Sequence, residues 1–288
     1  MNRDRVAAQR NQLARIVILA LSGMLGVGGL CLTAWGAKAR EVGRGWRVKA
    51  AAAPITAAPA AAIVVTKTAD TDGTCQSGVN CSLREAIKAA NAQAGDDTIN
   101  FAAGVTGTIN LGGPLPDLST NIEINGPGAN RLTVRRNTGG NYRIFNISGG
   151  MTVKISGLTI SNGISPGNDG DDTDGGGIFN LGALTLSYCS ISDSYAPFGG
   201  GIFNKGAMTI SNSTISGNTA ERYGGGILND FFSSPTLTIT NSTISGNQTF
   251  LYEGGGIYGS GTLRITNSTI SGNTAGSRNT AGVGGGAA

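Results

Sequence analysis

Acidic side chains are concentrated in one short segment of this 288-residue sequence. The run Asn168-Asp169-Gly170-Asp171-Asp172-Thr173-Asp174 contains four carboxylates. Because oxygen-rich loops of this kind bind Ca²⁺ outside cells, the predicted calcium ligands are Asp169, Asp171, Asp172 and Asp174. The spacing does not match an EF-hand loop, and a solvated acidic insertion would have the same composition. Ca²⁺ is the one cofactor that the sequence suggests.

Adjacent carboxylates, which could act as an acid and base pair, occur at Asp96-Asp97 and Asp171-Asp172. Glycosidases need two carboxylates on either side of one bond, about 5 to 9.5 Å apart. The first pair lies beside a predicted helix and the second lies in a loop. The later strands also present Thr and Ser outward, where an active groove would need charged side chains. We therefore assign no catalytic residue and favour a protein without enzymatic activity.

Cysteine chemistry is limited to one close pair. Cys75 and Cys81 lie in a Gly/Asn-rich loop, and in an exported protein they are expected to form a disulfide. Zinc binding is disfavoured because the sequence has no His and no second Cys pair. Cys189 takes the place that serine holds in the later repeats, so it is predicted to be a small, stacked, unpaired residue.

The positive charge of the chain is concentrated at its beginning. Residues 1–50 contain nine Lys/Arg and two Asp/Glu, whereas residues 51–288 contain twelve and fifteen. The mildly acidic remainder lacks the clustered basic and aromatic residues that a phosphate backbone requires. Nucleic acid is therefore not expected as a partner.

An export signal explains the basic beginning. Several arginines precede an almost uncharged run over residues 16–35. Residues 1–37 are predicted to be a signal peptide or an N-terminal membrane anchor, with membrane contact only through residues 16–35. Residues 38–62 are then a basic and, further on, Ala/Pro-rich linker. We expect the protein to be exported, and to be secreted or held at the cell surface or outer membrane.

A repeated unit fills the second half of the chain. Gly-Gly-Gly-Ile begins at Gly175, Gly199, Gly224 and Gly254, and a truncated copy begins at Gly284. Each unit continues into an alternating strand, and the heptapeptide Asn-Ser-Thr-Ile-Ser-Gly-Asn occurs three times. Units of 24 to 30 residues in a chain with 48 glycines indicate stacked coils of short strands joined by tight turns.

Aligned units place apolar residues in four columns. If each unit is one coil of three short strands, equivalent residues stack at about 4.8 Å and fill a continuous interior. We therefore predict an all-β fold, a right-handed parallel β-helix (solenoid) over residues 63–288, with the repeats at 175–288 and the last repeat incomplete. The columns are Ile178, Ile202, Ile227, Ile257; Leu184, Met208, Leu237, Leu263; Leu186, Ile210, Ile239, Ile265; and Ile191, Ile215, Ile244, Ile270.

One short helix is predicted after the first strand. Ser82 and Glu85 have the spacing of a capping box, and the apolar residues from Leu83 to Ala90 recur at helical spacing. The apolar stripe of this capping helix would cover the open N-terminal end of the stack.

The first asparagine of each heptapeptide is a candidate structural residue. Stacked asparagines can hydrogen-bond along the axis of a solenoid, so an internal amide ladder is predicted at Asn212, Asn241 and Asn267. The same triplets match glycosylation sequons, but packing is a sufficient explanation of their repetition.

Two segments resemble known bacterial families. Residues 63–130, with Cys81-Ser82-Leu83-Arg84-Glu85-Ala86, resemble the domain named after its Cys-Ser-Leu-Arg-Glu-Ala (CSLREA) motif. The Gly-Gly-Gly-Ile-Phe-Asn units resemble the repeats of polymorphic outer membrane proteins and the wider pectin-lyase-like β-helix class. This resemblance implies a secreted or surface-displayed protein and transfers no catalytic residue.

Three functions fit these observations. The preferred hypothesis is a non-catalytic adhesin or structural rod that displays loops, such as 231–235 and 249–253, to an extracellular polysaccharide or another cell surface. The alternative is a polysaccharide-degrading lyase or glycosidase, and a minor alternative is a surface that orders water or ice through outward Thr and Ser columns. Because the last unit is incomplete, the chain is also expected to self-associate at its C-terminal coil edge.

Overall fold

The computed structural model describes residues 62–165, 174–230 and 233–276. These residues form an all-β, right-handed parallel β-helix of about six turns with one short helix, so the predicted fold class is confirmed. Residues 1–61, the acidic positions Asp169, Asp171 and Asp172, and the truncated repeat from Gly284 lie outside the described residues. In the described ranges no helix is long and apolar enough to span a membrane.

The helix and the strands are short. Helix α1 spans Leu83–Asn91. The first strands are β1 (Ala62–Val65), β2 (Asp97–Phe101), β3 (Gly107–Leu111), β4 (Ile122–Asn125), β5 (Leu132–Arg136), β6 (Phe145–Ile147), β7 (Thr152–Ser156), β8 (Thr159–Ser161), β9 (Ile178–Asn180), β10 (Ala183–Ser187), β11 (Ser190–Ser192) and β12 (Tyr195–Phe198). The remaining strands are β13 (Ile202–Asn204), β14 (Ala207–Ser211), β15 (Thr214–Ser216), β16 (Thr219–Tyr223), β17 (Ile227–Asn229), β18 (Thr236–Thr240), β19 (Thr243–Ser245), β20 (Gln248–Thr249), β21 (Ile257–Gly259), β22 (Thr262–Thr266) and β23 (Thr269–Ser271).

Four parallel sheets run along the axis of the solenoid. Eight strands follow the order β1-β2-β4-β7-β10-β14-β18-β22, and seven follow β23-β19-β15-β11-β8-β5-β3. A five-stranded sheet has the order β21-β17-β13-β9-β6. The fourth sheet, β12-β16-β20, was not expected from a coil of three strands. It forms because the segments before successive Gly triplets also pair in register, for example Ala196 with Ala220.

In each predicted apolar column the first three residues are buried in the core of the solenoid. The fourth residues belong to the last described coil and are more open: Ile257, Ile265 and Ile270 are partly buried, and Leu263 is 47% exposed. Leu184 pairs with Met208, and Met208 pairs with Leu237, in one unbroken register. Ile191, Ile215 and Ile244 are fully buried in the facing sheet. The alternation of each strand therefore sends Ile and Leu inward and Thr and Ser outward, as the period of two requires. The hydroxyl columns of β11, β15, β19 and β23 lie in register on the outer face.

A second, smaller apolar cluster lies outside this core, on the outer face of the five-stranded sheet. Its outward column contains Phe179, Phe203, Leu228 and Tyr258, which pair in register across β9, β13, β17 and β21. Phe179 and Phe203 stack at 5.5 Å between ring centroids. Strand β6 belongs to the same sheet, and there the outward position is Asn146.

Aromatic residues just before the Gly triplets cover this column. Phe198 of β12 stacks on Tyr223 of β16 at 6.1 Å, and Tyr223 stacks on Tyr252 at 5.0 Å. Together they leave Phe179 and Phe203 almost completely buried, although both point away from the central core.

The Gly triplets mark turns at which neighbouring coils touch, as predicted. Gly199 has a φ of 63°, a conformation that side chains other than glycine rarely adopt. At Gly200 the constraint is proximity, because an added Cβ would lie 2.6 Å from the carbonyl oxygen of Gly225 and closer still to that of Thr219. Only glycine allows the backbones to approach this closely.

The predicted amide ladder requires a correction. Asn212, Asn241 and Asn267 are exposed turn residues with φ values of 49°, 50° and 48°. The ladder uses the seventh residue of each heptapeptide instead: Asn218 Nδ2 donates to Asn247 Oδ1, and Asn247 Nδ2 donates to Asn273 Oδ1, both at 2.9 Å. A second ladder joins Asn180, Asn204 and Asn229 at 2.7 Å per step.

Helix α1 packs against β1 and β2, at the start of the eight-stranded sheet. The predicted capping box is present, since the Ser82 hydroxyl accepts from Glu85 N–H and the Glu85 carboxylate accepts from Ser82 N–H. Leu83, Ala86, Ile87 and Ala90 are buried in the same core as the first strands. The stripe predicted from the sequence therefore closes the N-terminal end of that core.

Candidate functional site

The acidic residues singled out in the sequence do not come together among the described residues. Asp169, Asp171 and Asp172 lie outside them, and Asp174 is buried just before the first Gly triplet. Within the described ranges no group of three or more His, Cys, Asp or Glu side chains could hold a metal ion. The calcium site stays a prediction from the sequence.

The carboxylates of Asp96 and Asp97 are not placed to act as an acid and a base on one bond. Asp97 is buried at the start of β2, whereas Asp96 is exposed and accepts a hydrogen bond from Asn121 Nδ2 at 2.8 Å. Neighbouring residues of an extended strand point to opposite faces, so the two carboxylates do not flank one bond.

The two predictions about cysteine agree with the structure. Cys75 and Cys81 form a disulfide immediately before helix α1. Cys189 is a free, buried thiol. Burial raises the pKa of Cys189 to about 11, so at neutral pH the side chain is a protonated thiol, which is the less nucleophilic form.

A buried carboxylate organises the segment that precedes the disulfide-closed loop. Burial alone would raise the pKa of Glu85, but hydrogen bonds from Ser82 N–H, the Thr71 hydroxyl and Gly73 N–H, and the charge of Lys67, lower it to about 2. The ionised carboxylate thus ties the helix N-terminus to the preceding loop.

This pKa makes the N-terminal cap sensitive to acid. Since the folded-state pKa of Glu85 lies below its ordinary value of 4.5, its contribution to stability is present above about pH 4.5 and is lost as the pH falls toward about 2. We expect the melting temperature of Glu85→Gln to fall less steeply over this interval than that of the wild type. Thermal melts between pH 6 and pH 2 test this, with Glu123→Gln, on the exposed side of β4, as the matched control. Parallel profiles for wild type and Glu85→Gln would contradict it.

A cleft lies on the outer face of the five-stranded sheet, at its N-terminal end. It has a volume of about 730 Å³. One wall is the loop after β3, with Pro114, Leu115 and Asp117. The other wall is the segment 141–149 around β6, and Leu181, which is 40% exposed, completes the lining. We refer to the first wall, residues 112–119, as the cleft wall.

The cleft forms at β6, where the outward column changes from aromatic residues to a polar residue. Phe179 and Phe203 fill the equivalent positions of the next two strands, whereas Asn146 is shorter and polar. The Oδ1 atom of Asn146 is buried and accepts no hydrogen bond from the described residues. A buried acceptor of this kind is costly unless a water molecule or a ligand supplies a donor.

Charge and apolar surface meet in the same cleft. The Arg143 guanidinium stacks 4.6 Å from the centroid of the Phe179 ring, which fixes it at the end of the aromatic column. Asp117 is exposed on the cleft wall opposite. Among the described lining residues Asp117 is the one carboxylate, and acid and base cleavage of a glycosidic bond uses two.

Tyr142 fixes the second wall. Its hydroxyl donates to the carbonyl oxygens of Leu111 and Thr138, at 2.7 and 2.8 Å. Burial raises the pKa of this phenol, so the hydroxyl keeps the proton that it donates.

Sequence analysis did not predict this cleft. The binding loops expected at 231–235 and 249–253 lie further along the rod: residues 231 and 232 are outside the described ranges, and the second loop carries the exposed Phe250 and Tyr252. The signal that was available is the alignment of Asn146 with Phe179, where a polar residue interrupts an outward apolar column.

No protein-family model and no curated protein matches this sequence. Among solved structures, a pectin methylesterase, PemA from Erwinia chrysanthemi, is similar with a TM-score of 0.48 and 16% sequence identity. The similarity covers 72% of this chain and 66% of that chain. A similarity at this level transfers no activity or site residue, and the resemblance to CSLREA-domain proteins stays a prediction from the sequence.

Proposed function

We propose that the protein is an exported, non-catalytic β-helical rod, of adhesin or structural type, that binds an extracellular glycan in the N-terminal cleft. The observation that carries this proposal is the cleft itself, where the polar residue Asn146 interrupts the outward apolar column. Export is supported by the leader pattern of residues 1–37 and by the Cys75–Cys81 disulfide, because disulfides persist in oxidising compartments.

The lining suits a glycan for three reasons. Sugar hydroxyls both donate and accept hydrogen bonds, and the polar residue Asn146 is part of the cleft lining. Sugar rings also have apolar faces, which can contact Leu115 and Leu181. The Arg143 guanidinium places a positive charge in the cleft, which favours a ligand that carries a carboxylate. Acidic glycans are therefore the first ligands to test.

Filling the cleft should abolish binding. Asn146→Phe would extend the aromatic column by one ring beside Phe179, so we expect the variant to fold normally and to lose at least about tenfold in affinity, since a hydrophobic ring replaces the buried acceptor and occupies the ligand volume. Calorimetric titration of the full chain with pectate, alginate and glycosaminoglycan fragments measures this.

Thr209→Phe is the matched control, because Thr209 is exposed on β14, away from the cleft, and gains the same side chain. It should bind as the wild type does. Equal affinities for Asn146→Phe and wild type would exclude the cleft as the binding site.

The alternative hypothesis, a polysaccharide-degrading enzyme, is tested by the same panel. Asp117 and Arg143 line the two walls of one cleft, and a carboxylate can act as the general acid or base of a cleavage reaction. If chain shortening accompanies binding, and Asp117→Asn removes the shortening while binding persists, the protein is an enzyme and the non-catalytic proposal is wrong.

A further inference from the structure

The cleft wall has little regular structure of its own. Residues 112–117 follow β3 without forming a strand, and the wall rejoins the solenoid at Leu118, which bridges to Ile147 of β6. A segment of this kind keeps its shape only when other groups hold its backbone. The groups that do so come from helix α1 and the loop before it.

Arg84 and Asp70 hold the beginning of the wall. Arg84 binds both carboxylate oxygens of Asp70 at 2.8 Å, and its Nη2 also donates to the carbonyl oxygen of Gly113 at 2.8 Å. Its Nη1 donates to the carbonyl of Pro114. Asp70 in turn accepts from Gly112 N–H at 2.8 Å. The Arg84 and Asp70 side chains are only 11% and 6% exposed, so solvent competes weakly with these bonds.

Asn91, the last residue of helix α1, holds the other end of the wall. Its Nδ2 donates to the carbonyl oxygen of Asp117 at 2.7 Å, and its Oδ1 accepts from Ser119 N–H at 3.1 Å. The two bonds form a bidentate clamp on the backbone immediately before and after Leu118. Asp117, whose side chain lines the cleft, is thereby fixed through its own carbonyl group.

We infer that helix α1 positions the cleft wall, so that Arg84 and Asn91 are positioning residues for ligand binding in addition to their place in the N-terminal cap. This inference rests on the proposed function, because it assigns the helix a role in the same cleft. It explains why the polar side of so short a helix carries an arginine and an asparagine that both reach about 30 residues along the chain. The capping segment thus holds one wall of the binding site in place through hydrogen bonds.

Asn91→Ala is the sharpest test. Alanine favours a helix more than asparagine does, so the variant removes both backbone bonds without weakening the helix itself. Gln93→Ala is the matched control, because Gln93 follows the helix by two residues, is exposed, and its side chain bonds only to the carbonyl oxygen of Ala89 among the described residues. Arg84→Lys is a second variant. It keeps a cation next to Asp70 but loses the guanidinium N–H groups that donate to the carbonyl oxygens of Gly113 and Pro114.

Hydrogen exchange by mass spectrometry and titration with pectate fragments are the two measurements. We expect Asn91→Ala to raise exchange at residues 112–120 at least about tenfold, to leave exchange in β13 to β18 unchanged, and to weaken pectate binding at least about fivefold. Arg84→Lys should raise exchange chiefly at 112–114. Gln93→Ala should match the wild type in both measurements.

Several results would overturn the inference. Unchanged exchange in the wall, an increase spread evenly over all coils, or a loosened wall with unchanged affinity would each show that helix α1 does not position the site. If the wild type binds none of the acidic glycans, the proposed function fails, and the exchange measurement still decides whether the helix holds the wall.

Discussion

Replacing Asn247 with leucine is expected to destabilise the folded chain by about 3 kcal/mol, because it interrupts an amide ladder in a dry environment. Asn247 is fully buried and its Oδ1 accepts from both the backbone N–H and the Nδ2 of Asn218. Its Nδ2 also donates to the carbonyl oxygen of Ile215. Leucine has a similar volume but leaves these groups without partners. Urea denaturation of wild type and variant measures the difference.

Asn241→Gly is the control for this prediction. Asn241 begins the same heptapeptide, is exposed, and has a φ of 50°, which glycine adopts without strain. Its substitution should change the free energy of unfolding by less than about 0.5 kcal/mol. If the two substitutions lower the free energy of unfolding equally, the buried ladder residue stabilises the fold no more than the exposed turn residue does. The assignment of the ladder to the seventh residue of each heptapeptide would then have no support from stability.

Gly200→Ala should be similarly disruptive for a steric reason. The added methyl group would lie 2.6 Å from the Gly225 oxygen and nearer to the Thr219 carbonyl, whereas carbon atoms pack at about 3.5 to 4.0 Å. All neighbouring atoms are backbone, so no side chain can move aside, and we expect a loss of about 3 kcal/mol or more. Loss of the cooperative melting transition, or a large fall in its midpoint, is the observable.

Gly104→Ala provides the comparison. Gly104 lies in an exposed turn, and an added Cβ there would have no heavy atom within 4 Å. Its melting temperature should stay within about 2 °C of the wild type. A Gly200→Ala variant that melts like Gly104→Ala would show that neighbouring coils can separate at the triplets at little cost.

The pairing between coils could be predicted from the sequence, because the repeats align without ambiguity. Once Ile202 and Ile227 occupy one column, parallel pairing and a shared interior follow from the period of two. The disulfide and the capping helix were also accessible, because each depends on residues close together in the chain.

The ladder was placed on the wrong asparagine for a reason that lies in backbone geometry. Asn212 and Asn218 are each three residues from the inward Ile215, so alternation alone would place both outside. Gly217, with a φ of 65°, redirects the chain and turns Asn218 inward. Counting alternating positions along a strand does not predict an inward turn at a positive φ, because that turn depends on the folded coil.

The cleft was beyond sequence analysis because it lies in the coils that do not repeat. The wall at residues 112–119 has no equivalent in the Gly-Gly-Gly-Ile units, and the segment 141–149 lacks their glycine triplet although its strand β6 pairs with β9 of the first unit. Arg143 was not a candidate, since its place beside Phe179 depends on the pairing of β6 with β9. Long-range contacts of this kind become visible only when the register of every coil is known.

Uniform register also makes the length of the rod adjustable. Because β9, β13 and β17 share one register, removal of the 25-residue unit 199–223 would bring Ile178 opposite Ile227 and Phe179 opposite Leu228, as in the present contacts. Each such loss or duplication changes the rod by one strand spacing, about 4.8 Å, and removes no residue that lines the cleft, because the lining ends at Leu181. Evolution can therefore alter the reach of this protein in whole steps by unequal exchange between repeats, independently of what its N-terminal end binds.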